Sequence, residues 1–144
     1  MPVSDLQGML SGMEPTLHVE PYVYLIFSNE SPPSFPLLGP GGRAIIPFAQ
    51  IAEDEEGTTL IVRRAEAEAL NRRPDFVARR ITLKVHSALQ GVGLTAAVSA
   101  RLTQLGISCN VIAAGRHDHL FVDVERGEDA LEALRRLSQE AREG

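Results

Sequence analysis

The chain has no tryptophan, one cysteine, two tyrosines and five phenylalanines among 144 residues. A lone cysteine, Cys109, excludes an internal disulfide framework and fits a reducing compartment, so the cytoplasm is the expected location. Sparse aromatics weigh against surfaces that stack bases or sugars on rings. A basic excess is missing too. With 19 acidic against 14 basic side chains the net charge is -5, which opposes a phosphate backbone, and nucleic acid is not an expected partner. The start, MPVSDLQGMLSGM, lacks both a basic cluster and a long apolar run, and no later stretch approaches spanning length. Neither a signal peptide nor a membrane segment is expected.

What is present suffices for one ordinary core or two small ones, since 44% of the residues are hydrophobic. Ser4 and Gln7 have capping-box spacing, and Leu6, Met9, Leu10 and Met13 recur at helical intervals before Gly12 and Pro15, which predicts a helix over 5–13. PYVYLIFS predicts a buried strand over 22–28. The following NESPPSFPLLGPGG holds four prolines and three glycines, which predicts a surface segment or small lobe outside any ladder. Strands about 44–52 and 58–63 are expected around an acidic turn ending at Gly57, and then a short helix in AEAEALNRR closed by Asn71 and Pro74.

The second half is more regular. RITLKVHS reads as a strand over 80–86. Leu94, Ala97, Val98, Leu102 and Leu105 mark one stripe of a helix that Gly106 ends. ISCNVIA and HLFVDV read as strands, and Ala130, Leu131, Leu134, Leu137 and Ala141 as a last helix with Glu132 and Arg136 four apart on its outer face. The order β-α-β-β-α packs as one antiparallel sheet with both helices on one side, an α+β, ferredoxin-like plan short of its last strand. The open edge invites a strand from the N-terminal half or from another chain. Each half contains a strand, a hairpin and a closing helix, which suggests a diverged duplication with units 1–73 and 74–144.

Several residue groups carry chemistry. Gly91 and Gly93 flank a helix entrance whose first N–H groups lack intrahelical partners and favour an anion such as a carboxylate, with the Thr95 hydroxyl beside them; the same glycines could simply shape the turn. Strand alternation sends Ser108 and Asn110 to one face and Cys109 to the other, so Asn110 could bond a ligand or serve an edge or subunit contact. His117, Asp118 and His119 suggest a metal site or general base, but their spacing matches no zinc pattern, and a turn tied by Asp118 is the plainer reading. The acidic EDEEG, 53–57, lacks calcium-loop spacing and reads as a solvated hairpin tip. Arg72, Arg73, Arg79 and Arg80 form a basic cluster, read as a solvated linker between the halves.

At ITLKVHSALQGVGLTAAVSARLTQLGISCNVIAAGRHDHLFVDVERGEDALEALRRL the chain resembles an ACT domain, in particular small bacterial proteins of two ACT-like units akin to CASTOR-type arginine sensors. PFAQIAEDEEGTTLIV resembles the first such unit. The resemblance implies ferredoxin-like modules that bind amino acids where modules meet and regulate another protein. It places the family glycine at Gly93, with Val92, Leu94 and Thr95 as neighbours and GISCNVI as the following strand. It implies no catalytic residue, metal or cofactor, a homodimer, and an output supplied by a separate protein partner. A metal-dependent or Cys/His hydrolase using Cys109, His117, Asp118 and His119 is the alternative from another class, although no nucleophile motif accompanies them. A ligand-free assembly module built on the open sheet edge is the third.

Overall fold

The computed structural model describes residues 5–85 and 91–144. Helix α1, Leu6–Gly12, begins at Asp5, whose carboxylate accepts from the Gly8 N–H at 2.7 Å. Ser4, the expected cap, lies outside the described residues. Strand β1, Pro15–Ser28, is longer than the expected 22–28. Pro15 and Pro21 concealed its first half, yet a proline is tolerated at a strand's first residue, and Leu17 packs inward while His18 faces the other way.

Strands β2, Ala49–Ala52, and β3, Gly57–Arg63, form the expected antiparallel hairpin. Strand β2 is shorter than 44–52 because Pro47 has no N–H to give the ladder. Helix α2, Arg64–Ala69, is followed by Asn71 at φ 53. Then come β4, Phe76–Leu83; α3, Leu94–Gln104; β5, Cys109–Ala113; β6, Asp118–Asp123; a 3-10 turn, Val124–Arg126; and α4, Gly127–Glu143. The last residue of the strand expected over 80–86, His86, lies outside the described residues.

By compactness the chain forms two units: unit 1, Met1–Val19 with Arg79–Gly144, and unit 2, Glu20–Ala78. Strands β1 and β4 each contribute residues to both.

In unit 1 the strand order is β1-β4-β6-β5. The missing last strand of the β-α-β-β-α plan is supplied by the chain's own β1, beside β4. Strands β5 and β6 are antiparallel, with Asn110 opposite Phe121. Alternation puts Ile81 and Leu83 of β4 and Leu120 and Val122 of β6 on one face, where they form a core with Met9 of α1, Val98 and Leu102 of α3, and Ala130 and Leu134 of α4. Each fully buried leucine there contributes on the order of 2 kcal/mol. Helices α1 and α4 are tied at their polar margin: Ser138 Oγ donates to Met13 O at 3.2 Å and Arg142 Nη1 to Ser11 O at 3.2 Å. Arg101 of α3 reaches Glu140 of α4 through two hydrogen bonds.

In unit 2, β3 lies between β1 and β2, and one face buries Val23, Leu25, Leu60 and Val62 against Ala67 of α2. The proline-rich segment completes this core with Leu37 and Ile45. It is not wholly outside a ladder, as composition led us to expect. Leu38 bridges Ala44, Ile45 N–H bonds Leu37 O at 2.7 Å, and a 3-10 turn at Pro40–Gly42 tips this small hairpin. The Phe35–Pro36 peptide is cis. The acidic turn closes on itself, since Glu53 N–H bonds Gly57 O and the Glu53 carboxylate accepts from Thr59 Oγ1 at 2.6 Å.

Candidate functional site

The helix entrance is built around Gly93, the N-cap of α3, at φ 101. An L side chain is strained in that conformation, and a Cβ here would come within 3.3 Å of Leu6 on α1. Among the described residues no side chain caps the helix. The first-turn amides from Leu94 onward therefore depend on solvent, ligand or neighbouring main chain. Leu94 is buried in the core and anchors the turn, Val92 is 81% exposed, and Thr95 faces solvent. Gly91 is half-buried.

Ser108 and Asn110 are exposed, and Cys109 packs against the core, as alternation requires. They stand at the other end of α3: Ile107 N–H bonds Leu102 O in the helix's last turn, and eleven residues at helical rise separate the ends by ~16 Å. Within one chain the fold does not bring Ser108 and Asn110 to Gly93.

His117, Asp118 and His119 do not act as a group. His117 Nδ1 lies 3.5 Å from Val85 O, and Ala114 N–H closes the β5–β6 turn on His117 O. Asp118 opens β6 and is buried, which raises its carboxyl above the usual range, against a smaller opposing influence of His117. Burial lifts the Cys109 thiol to about 11, so the thiolate a nucleophile needs is scarce at neutral pH. His119 points away from the face on which Cys109 packs. The elements of a Cys/His hydrolase are thus present in sequence and separated by the sheet.

His119 belongs instead to a cluster that sequence reading missed. On the sheet face of unit 1 opposite the helices, Thr82 of β4 stands between His18 of β1 and His119 of β6. Its Oγ1 is 2.8 Å from His18 Nε2 and 3.0 Å from His119 Nδ1, and Arg80 Nη2 is 3.0 Å from His18 Nε2. A guanidinium only donates, so His18 Nε2 accepts. Thr82 gives its one hydrogen to the same nitrogen, and His119 Nδ1 must then donate to Thr82. An accepting Nε2 holds the His18 imidazole neutral. Burial, then Arg80, lowers the pKa of His18, with a further push from Lys84; burial, Arg80, His117 and His18 lower that of His119 to about 4. The available signal was alternation, which puts Arg80, Thr82 and Lys84 on one side of RITLKV.

Three of the four arginines are engaged by the fold, while Arg73 is exposed. Arg79 Nε donates to His18 O at 2.9 Å, Arg80 enters the histidine cluster, and Arg72 Nη2 donates to Ile26 O at 2.6 Å. Two of these arginines thus donate to main-chain carbonyls of β1.

Together these features define an α+β protein of two ferredoxin-like units. The chain belongs to the ACT domain family: one family pattern described as ACT domain matches residues 2–79, and a second, also an ACT domain, matches residues 77–136. ACT domains are in general regulatory, amino-acid-sensing modules, and the family points to a non-catalytic role. The chain is similar to VC0802 from Vibrio cholerae, a protein of unknown function described as a possible transport protein, with 33% identity over 92% of this chain and 95% of that one and a TM-score of 0.74. It shares its fold with Atu0741 from Agobacterium tumefaciens, at 19% identity, 88% and 89% coverage and a TM-score of 0.56. It also shares the fold of the regulatory subunit of aspartate kinase from Thermus flavus, at 15% identity, 85% and 95% coverage and a TM-score of 0.61. No curated protein matches the chain. Among the described residues, no helix is long and apolar enough to cross a membrane.

Proposed function

We propose that the protein is a small-molecule-binding regulatory module whose ligand is an amino acid, held by its carboxylate at the entrance of α3, formed by Gly91, Val92, Gly93, Leu94 and Thr95. The observation that carries this reading is Gly93: a glycine at φ 101, with no cap from any side chain among the described residues, lets a ligand approach the main chain at the positive end of a helix dipole. The aspartate kinase regulatory subunits that share the fold support a regulatory role. Kinship with CASTOR-type arginine sensors narrows the ligand class further, and the ACT-like units are divided at 73/74.

Ser108 and Asn110 enter the same reading only through a second copy. Following the far end of α3 from Gly93, they would meet a ligand bound at another chain's helix entrance, which makes a homodimer part of the proposal. The output passes to a separate protein partner in the cytoplasm, and only a difference in ligand affinity between two packings transmits a signal. No nucleic acid or membrane partner and no cofactor enters the scheme.

The test is isothermal calorimetry with each common amino acid, paired with light scattering. Saturable heat that is lost in Gly93→Val and reduced in Thr95→Ala supports the site. No saturable heat with any of them removes it, and a monomer that binds ligand removes the role of Ser108 and Asn110.

A further inference from the structure

Unit 2 holds a groove of about 430 Å³ between the proline-rich segment and the end of α2. Its walls include Phe27, Pro32, Pro36, Leu37, Leu38 and Leu70, and its one charged lining residue is Arg72; no acidic side chain lines it. The guanidinium of Arg72 lies over the Phe27 ring, 4.1 Å from the centroid, and Nη2 donates to Ile26 O at 2.6 Å. It is therefore held in one plane before any ligand arrives. Among the described residues no carboxylate is within 4.0 Å of it, since the ion pairs present engage Arg63, Arg101, Arg126 and Arg136. The nearby Asp75 carboxylate is committed to the Ile26 N–H at 2.9 Å.

A half-buried cation oriented by stacking and one hydrogen bond keeps further N–H donors in its plane, the geometry that takes a carboxylate in a fork. Around it, prolines with fixed φ and buried Leu37 form stiff apolar walls that lose little freedom when filled. We propose that this groove binds a small apolar carboxylate, with the acid on Arg72 and the hydrocarbon between Leu37, Leu38 and Leu70. Because no lining carboxylate can partner an ammonium group, the groove prefers an acid without an α-amino group over the matching amino acid, whose ammonium would be desolvated unpaired. It differs in place and in ligand from the α3 entrance.

The probes are hydrocinnamate against phenylalanine and isocaproate against leucine, followed by calorimetry on the full chain. Wild type is expected to bind both amino-free acids saturably and each matching amino acid more weakly at this groove. Arg72→Gln is expected to weaken the acids about tenfold or more, the loss of one charge-assisted pair. Should that variant fold poorly, Leu38→Glu serves in its place: Leu38 is 51% exposed, and a carboxylate there repels the ligand without touching Arg72. Absence of saturable binding by both acids, amino-acid binding equal to theirs that Arg72→Gln weakens as much, or acid binding unaltered in both groove variants overturns the proposal; amino-acid binding that Arg72→Gln leaves intact belongs to the α3 entrance.

Discussion

The two units cover the same kind of surface by different means. Unit 1 covers one sheet face with α1, α3 and α4 and tightens the helices with Ser138, Arg101 and Arg142. Unit 2 has only α2, six residues long, and fills the rest with Leu37 and Ile45 from an irregular hairpin. A helix satisfies its own backbone, so unit 1 can bury a wide area with few special positions. An irregular cover needs particular residues at its turns: Asp54 at φ 51, Gly41, Gly42 and Gly57. Unit 1 should fail through lost packing, and unit 2 through lost backbone geometry.

Gly57→Ala is the strongest way to probe that contrast. A Cβ at Gly57 would lie 1.9 Å from the Phe27 carbonyl oxygen, with φ at 141, and both are backbone constraints that no rotamer relieves. We expect a loss of roughly 4 kcal/mol in urea unfolding. A variant as stable as wild type would show that unit 2's geometry is not the constraint described. Next in size, Leu134→Ala empties a wholly buried site between α4 and the unit 1 sheet and should cost about 3 kcal/mol, whereas Leu37→Ala, on a cover that can collapse inward, should cost about 2 kcal/mol. Equal or reversed costs would break the comparison.

Thr82→Val comes lower. It keeps the shape of a buried residue but leaves His18 and His119 without their shared hydroxyl, and about 1–2 kcal/mol of destabilisation is expected by the same measurement. Thr59→Val in unit 2 removes a hydroxyl whose partner, Glu53, lies on the solvated acidic turn, and should cost less. A larger loss at Thr59 would show that the turn is held more rigidly than its exposure suggests.

How much of this was legible follows from the same physics. The β-α-β-β-α order was readable because its elements have clean periodicity and glycine punctuates the helix, as at Gly106, which adopts φ 69. The first half of β1 was hidden by Pro15 and Pro21, since proline reports a missing donor and not whether the neighbouring strand needs it. The helix entrance at Gly93 was visible from the glycines, but that Ser108 and Asn110 follow the opposite end of α3 depends on where the helix stops and β5 starts. The histidine cluster joins residues 18, 82 and 119 across three strands, and strand order, not local pattern, decides that they meet.

Acid offers the mildest test of the contrast, because every histidine falls within the residue ranges of unit 1 and none within unit 2. His119 is held at about 4 and His18 below its ordinary value near 6.5, so the unfolded chain takes up protons first as pH falls. Their contribution to stability is complete above about 6.5 and is lost through the interval down to about 4. The raised Asp118 carboxyl acts with the opposite sign, being protonated more readily in the folded state, so net slopes are modest and the histidine part must be isolated. His119→Asn does this: the difference in unfolding free energy between wild type and variant should vary between pH 6.5 and 4 and level off above it. Hydrogen exchange at pH 7 and 5, corrected for intrinsic rates, should show unit 1 amides losing protection while those of Glu20–Ala78 keep theirs. Equal loss in both ranges would mean that acid acts on the chain as a whole and that the histidine cluster is not its point of entry.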